Sequence, residues 1–212
     1  MRLLLKTVFI LSLFNQVFAQ DTITKYFNGN WTEISDKNQA TYYRKAFLDS
    51  SKVWIVHDYF MSNNIQMIGA FKSKKFNTRQ GHFTYFYENG KKVSEGECIN
   101  DKNEGFWTYW YENGQKKSAG KFKNNLRQDK WTFWHENGRI ESEGLYVDGN
   151  EENKWTYWYD SGEKLSEGAC LHGDKDGIWE YYYKTGKLET VEKYKAGQLD
   201  FITGYFENGN IR

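Results

Sequence analysis

The chain of 212 residues combines 19% aromatic with 27% charged residues and contains no proline. So high an aromatic content argues against a disordered chain, and the length allows one large domain or a repeat array. The formal net charge of +1 argues against a nucleic-acid-binding protein, because phosphate contacts require a clear excess of basic residues.

The first nineteen residues have the pattern of a secretory signal peptide. Arg2 and Lys6 precede an apolar stretch from about Thr7 to Phe14, and small or apolar residues lead to Ala19, after which we expect cleavage. The apolar stretch is too short to span a bilayer, and no cysteine follows the cleavage site to carry a lipid anchor. We therefore predict an exported protein, periplasmic or extracellular, without a transmembrane helix in the mature chain.

Residues 20–80 lack a clear repeat. Residues 20–38 are polar and poorly patterned, with Trp31 as the expected anchor. In residues 39–80, two β-favouring runs, "ATYYRKAFLD" and "KVWIVHDYFM", flank a short polar turn, and a third run ends near Gly69. We interpret residues 39–80 as a degenerate β module that caps an array.

Residues 81–212 repeat one unit. Turn glycines recur every 24 residues, with a final step of 23, and their flanks recur with them, as in "GFWTYWYENGQKKSAGKF" and "DKWTFWHENGRIESEGLY". The glycines are Gly90, Gly114, Gly138, Gly162, Gly186 and Gly209. The units span 81–104, 105–128, 129–152, 153–176 and 177–199, with a partial unit at 200–212.

Each unit predicts one β-hairpin. Two β-favouring runs surround Asn-Gly, Ser-Gly or Thr-Gly, which favour a two-residue type I′ turn because both of its central residues need positive φ. With Asn89 and Gly90 as turn residues, Glu88 faces Lys91. Hairpins stacked side by side predict an all-β fold, an elongated, solenoid-like single-layer antiparallel sheet of unknown curl.

The register of these hairpins places a large ring opposite a glycine. The predicted pairs are Phe83 with Gly96, Trp107 with Gly120, Trp131 with Gly144 and Trp155 with Gly168. A ring over a glycine shields the bare strand backbone and sets the register. In the fifth unit Trp179 faces Glu192 instead, so we expect the second strand of that unit to be distorted.

Side chains alternate between the two faces of each strand. Trp107 and Tyr109 therefore share one face, whereas Phe106 and Trp110 lie on the other. We interpret most of the rings as packing, since a one-layer sheet has no second layer to cover them, and we keep a ligand-binding aromatic stripe as the alternative. The candidate partner contacts are Trp110, Trp134 and Trp158.

No set of side chains indicates catalysis or a metal site. The four histidines share no spacing typical of a metal site or a hydrolase triad, and "HGDKDG" at 172–177 lacks the closing glutamate of a calcium loop. Cys98 and Cys170 lie three units apart, about 29 Å in a flat sheet, which is too far for a disulfide. We predict free, half-buried thiols, no cofactor and no enzyme activity.

The pattern W-T-Y-[W/Y]-Y-E-N-G-x-x-x-S-E-G-x-[Y/F], at 107–122, 131–146 and 155–170, resembles the bacterial variant of the MORN repeat (membrane occupation and recognition nexus). The arrangement over residues 39–212 is similar to exported MORN-variant proteins of the YwqK-type antitoxin-component family. The resemblance implies a β-hairpin array without catalytic machinery that binds protein or envelope partners.

Two functions fit these observations. The leading hypothesis is a non-catalytic scaffold for protein–protein interaction in the cell envelope or exterior, with an antitoxin or immunity role as a special case. The alternative is a carbohydrate- or lipid-headgroup-binding module that uses exposed aromatic ladders at a membrane surface. Because the last unit stops just past its turn, we also expect a strand edge near residues 201–207 that recruits a partner or a second copy.

Overall fold

A computed structural model describes residues 22–212, and the predicted signal peptide at 1–19 lies outside them. These residues form one open antiparallel sheet of 16 strands, which confirms the predicted all-β, single-layer fold. Neighbours in the sheet follow chain order from β16 to β3, and then β1 and β2 complete the other edge. Within the described range the helical content is one short 3-10 helix, Lys37–Gln39.

The strands of the first module are β1 (Ile23–Phe27), β2 (Glu33–Ile34), β3 (Tyr42–Leu48), β4 (Trp54–Phe60) and β5 (Ile65–Phe71). The strands of the repeats are β6 (Gln80–Phe86), β7 (Lys92–Ile99), β8 (Lys102–Trp110), β9 (Lys116–Lys123), β10 (Leu126–Trp134), β11 (Ile140–Val147), β12 (Asn150–Trp158), β13 (Lys164–Leu171), β14 (Asp174–Tyr182), β15 (Leu188–Lys195) and β16 (Gln198–Gly204).

The first module is held by a buried ion pair. Arg44 donates to both carboxylate oxygens of Asp58 at 2.7 and 2.8 Å, and only 2% of the Asp58 side chain is exposed. Trp31 stacks on Tyr42 with ring centroids 4.6 Å apart. The rings around the Arg44 guanidinium are Phe27, Trp31, Phe71 and Phe76. Residues 22–38, which show little pattern in the sequence, contribute two strands to this module.

The turn predicted for each repeat hairpin is wrong. The Gly90 N–H donates to the Tyr87 carbonyl at 2.9 Å, and the Tyr87 N–H donates to the Lys91 carbonyl at 2.8 Å, so the loop has three residues. Of these residues only Gly90 has positive φ. One extra residue in the returning strand, Val93 in the first repeat, compensates for the longer loop and preserves the predicted register beyond it.

Tight two-residue turns occur between the hairpins instead. Ile99 pairs with Lys102, and both residues between them, Asn100 and Asp101, have positive φ, as a type I′ turn requires. The equivalent turns are Asn124-Asn125, Asp148-Gly149, His172-Gly173 and Ala196-Gly197. The sheet is therefore a continuous meander, and "HGDKDG" contributes one of its connecting turns.

Trp107, Trp131 and Trp155 each pair with one glycine and cover another. Trp107 pairs with Gly120, as predicted, but a Cβ built on Gly120 would lie 2.3 Å from Trp131, the ring of the next repeat. Trp107 itself lies over Gly96 of the preceding hairpin. The same displacement places Trp155 over Gly144, Trp179 over Gly168 and Phe83 over Gly69. The predicted covering within a hairpin is therefore wrong, and the rings join each repeat to the one before it.

Hydrogen bonds to the preceding hairpin accompany this arrangement at the four tryptophans. The Trp107 Nε1–H donates to the carbonyl of Glu97, the residue after the covered glycine, at 3.0 Å. Trp131, Trp155 and Trp179 donate in the same manner to Lys121, Leu145 and Ala169. Because Trp179 also covers a glycine of the preceding hairpin, the fifth unit has the same ring-over-glycine arrangement as the others. The distortion expected in β15 is wrong, since its register shift is the one found in every repeat hairpin.

The buried side chains lie on one face, here called the inner face, except for Ala119, which pairs with Thr108 on the other. The repeat tryptophans on it, Trp107, Trp131, Trp155 and Trp179, are at most 2% exposed, and Tyr146 packs edge-on between Trp131 and Trp155 with centroids 6.3 and 5.1 Å away. Cys98 and Cys170 are free thiols in the same row, at 0% and 5% exposure, so they are more buried than the sequence predicted. Rings from successive repeats thus form the core of a one-layer sheet.

Candidate interaction surfaces

The inner face is occupied by its own packing. A row of side chains, here called the covering row, lies across its rings at one position per repeat: Arg79, Asn103, Arg127, Glu151 and Lys175. The Arg127 guanidinium lies 4.8 Å from the Trp131 ring centroid and 5.2 Å from that of Tyr146. The Lys175 ammonium lies 4.8 Å from Trp179. Cation–π contacts of this kind add to the shielding of the rings from water.

The candidate contacts Trp110, Trp134 and Trp158 lie on the opposite, outer face and are half-buried. We call this row the outer stripe. Lys92 of the preceding hairpin places its ammonium 5.4 Å from the Trp110 ring, and Lys116 lies 5.7 Å from Trp134. Each ring of the stripe keeps some exposed surface, and Trp110 and Trp134 each lie beside a flexible cation.

Ion pairs balance the charge beside the outer stripe. Lys130 pairs with Glu143 at 2.9 Å, and Lys154 pairs with Glu167 at 2.7 Å. Glu167 also accepts from Lys164, and these two lysines lower its pKa, the hydrogen bond from Lys154 having the largest effect. The stripe is therefore an aromatic surface of nearly neutral charge, which does not favour a polyanionic ligand.

The outer face continues into the first module. Tyr43 and Tyr59 stack with centroids 4.7 Å apart, and the Lys45 ammonium lies 5.7 and 5.6 Å from their rings. An open cleft of about 720 Å³ adjoins them, lined in part by Tyr26 and Lys37. The sequence does not predict this cleft, because residues 22–38 carry little of the pattern that would indicate β1 and β2.

The last strand leaves an edge, as predicted. β16 pairs with β15 along its length, and on its other side the described residues contribute only a bridge between Tyr205 and Ile211 and a neighbouring backbone hydrogen bond. Ile202 takes the place that Trp179 has in the preceding repeat and is 58% exposed. This edge combines unpaired backbone with apolar side chains, which favours strand addition.

Cys170 and His135, two of the chemically reactive side chains noted in the sequence, have contacts that fit a structural role. Burial raises the pKa of the Cys170 thiol to about 12, with further contributions from Glu151, whose carboxylate accepts from its Sγ at 3.8 Å. A neutral thiol is a poor nucleophile. His135 contacts the Trp158 carbonyl through Nε2 at 2.9 Å, as tyrosines do in neighbouring repeats. Residues 22–212 bring together no group of three or more metal-ligating side chains.

Four segments match the family model described as the MORN repeat variant: residues 79–100, 103–124, 130–148 and 175–196. They coincide with the hairpins β6–β7, β8–β9, β10–β11 and β14–β15, so the resemblance to this repeat is confirmed for these units. Repeats of this family are generally non-catalytic modules that often bind membrane lipids or proteins. A search of curated proteins finds no match to this chain. Within residues 22–212, no helix has the length and apolar character needed to cross a membrane.

Proposed function

We propose that this protein is a non-catalytic scaffold that binds another protein through the outer stripe. The supporting observation is a difference between the two faces. The repeat tryptophans of the inner face, Trp107, Trp131, Trp155 and Trp179, are at most 2% exposed, whereas Trp110, Trp134 and Trp158 keep exposed surface in a row. Tryptophan and tyrosine carry much of the binding energy at protein interfaces, and balanced ion pairs around such rings suit a polar rim.

We place this scaffold in the cell envelope or exterior of a bacterium, on the basis of the signal pattern in residues 1–19 and the resemblance to exported MORN-variant proteins. An antitoxin or immunity role of the YwqK type is a special case that requires a cognate toxic partner. If a strain that lacks the protein tolerates overexpression of the neighbouring gene, that gene does not encode the toxin and this special case fails.

Affinity capture from the native envelope tests the proposal. The unaltered chain is compared with a double variant, Trp134→Ala with Trp158→Ala, and with a control variant, Phe106→Ala, which removes an outer-face ring that is 61% exposed and lies outside the stripe. We expect the unaltered chain and the control to recover the same partner, and the double variant to recover at least about tenfold less. Equal recovery by the double variant, or no specific partner at all, contradicts the proposal.

Ring spacing favours glycan binding as a second candidate function. Rings of the outer stripe recur every second strand, which corresponds to about 9.6 Å in a flat sheet. That spacing is similar to two sugar units of an extended β-1,4-linked chain, whose flat faces stack on aromatic rings. Titration with β-1,4-linked oligosaccharides, and with liposomes for lipid headgroups, is expected to change tryptophan fluorescence. Unchanged fluorescence across both panels rules out this candidate.

A further inference from the structure

The bulged residue of each repeat and the covering row form a second internal pattern. The bulge that compensates for the three-residue loop recurs at Val93, Lys117, Glu141 and Leu165, and a covering-row residue follows it by ten positions. The resulting combinations are Val93 with Asn103, Lys117 with Arg127, Glu141 with Glu151 and Leu165 with Lys175. Of these four combinations, Lys117 with Arg127 is the one that consists of two cations.

The two cations line a common cavity. A cavity of about 340 Å³ lies on the inner face near the three-residue loops, and its walls include Lys117, Arg127 and the rings of Tyr87, Tyr109 and Phe122. Between Arg79 and Arg127 the covering row has the shorter Asn103, whose side chain lies against Cys98 at 3.5 Å. Among the described residues, no cation of the covering row lies over Trp107 or Tyr109 in the way that Arg127 lies over Trp131 and Phe133.

Arg127 is held in place by its surroundings. Its guanidinium donates to the Tyr146 hydroxyl at 3.1 Å and packs over Trp131, Phe133 and Tyr146. Within residues 22–212, neither Arg127 nor Lys117 forms an ion pair with a carboxylate. Glu151 reaches Arg127 only through the Tyr146 hydroxyl, which donates to it at 3.1 Å. A pre-positioned guanidinium retains donors for a further anion.

We propose that this cavity binds an organic carboxylate, with the carboxylate between Arg127 and Lys117 and an apolar body against the rings of Tyr87, Tyr109 and Phe122. The volume is near the lower end of ligand sites, which suits one aromatic ring and a short acidic chain. The next repeat places Glu141 and Glu151 at the equivalent positions, and this acidic pair disfavours ligands with several negative charges. Trp110 also lines this cavity, but Trp134 and Trp158 do not, and the site does not depend on the function proposed for the outer stripe.

Calorimetric titration of the chain with 3-phenylpropanoate tests this site, and 3-phenylpropanamide is the uncharged control ligand. A peptide with a carboxyl-terminal phenylalanine and its amidated form separate the two sources of such a carboxylate, a free metabolite and the end of a protein chain. We expect binding of at least one acid and at least about tenfold weaker binding of its amide, because the charge-assisted hydrogen bonds are lost. Equal binding of acid and amide, or no binding of either acid, overturns the proposal.

Variants locate the site. Lys117→Gln changes an exposed side chain and is expected to weaken acid binding about tenfold without altering thermal unfolding. Arg127→Gln is expected to weaken it further, although this variant also loses packing over the inner rings. Lys116→Gln, the adjacent lysine over Trp134 on the other face, is the matched control and keeps full binding. Retained affinity in both Lys117→Gln and Arg127→Gln refutes the site, whereas the Trp134→Ala and Trp158→Ala variant leaves it intact.

Discussion

Substitution of Gly144 by alanine tests the way in which the repeats are joined. A Cβ at this position lies 2.2 Å from Cδ2 of Trp155, far inside the shortest contact that real Cβ atoms make. Trp155 is 1% exposed and donates from Nε1 to the Leu145 carbonyl at 3.2 Å, so its ring has no free space into which to move. The φ of Gly144 is not positive, and the effect is therefore steric rather than conformational.

The expected loss of stability follows from two contributions. Forcing a methyl group into a filled site costs about 1–3 kcal/mol, and displacing the indole from its carbonyl costs about 1 kcal/mol more. We therefore expect Gly144→Ala to lower the free energy of unfolding by about 3 kcal/mol, measured by urea denaturation followed by circular dichroism. Gly29→Ala is the matched control, because its Cβ meets only Thr41 Oγ1 at 3.7 Å. We expect that control to change stability by less than about 1 kcal/mol.

A double-mutant cycle identifies the ring that covers each glycine. In a Trp155→Ala background, Gly144→Ala is expected to lose most of its cost, because the ring that it meets is gone. Gly168→Ala is expected to keep its cost in that background, since Gly168 pairs with Trp155 but is covered by Trp179. The reverse result, coupling of Trp155 to Gly168 and not to Gly144, refutes the covering of each repeat by the next.

Three further predictions concern the first module, the buried thiol and the terminal edge. Asp58→Asn is expected to lower stability in urea by about 3–5 kcal/mol, because it leaves the Arg44 guanidinium buried without its counter-charge, and a loss below about 1 kcal/mol contradicts this. The folded pKa of Cys170 is raised from 9.0 to about 12, so the folded state holds this proton more tightly than the unfolded state. Its contribution to stability is present below about pH 9 and is lost as the pH rises from about 9 toward 12, and Cys170→Ala is expected to flatten the decline in urea midpoint between about pH 9 and pH 11; an unchanged slope contradicts it. Ile202→Lys is expected to reduce self-association measured by light scattering, whereas an unaltered chain that is strictly monomeric at high concentration contradicts association through β16.

Local pattern predicts much of the repeat region and little of the first module. The 24-residue period, the hairpins and the pairing of Trp107 with Gly120 follow from turn glycines and alternating rings, which are short-range signals. β1 and β2 carry few such signals: β1 is recruited by pairing with β3 and by packing of Phe27 against Arg44, and β2 pairs in turn with β1. Contacts between segments that are distant in the chain decided that part of the fold.

The outer stripe and the cavity beside Arg127 also differ in how far the sequence predicts them. Alternation assigns Trp110, Trp134 and Trp158 to the outer face without any structure. The sequence does not predict the cavity beside Arg127, because this cavity depends on the bulge that adds Lys117 to its inner-face wall. The two-residue turn expected from the sequence would leave no such bulge. To find this cavity from the sequence, one would have to place a bulged residue at the same distance after every turn glycine.

The sequence by itself determined the period, the hairpin register and the two faces, because these depend on neighbours within one hairpin. Only the tertiary structure decided that Trp107 covers Gly96 rather than its partner Gly120, since that choice depends on the space over a glycine of the preceding hairpin, which Phe83 fills over Gly69 without any indole hydrogen bond. Pairing is a property of the backbone ladder, whereas covering is a property of where a large ring finds space and a hydrogen-bond acceptor.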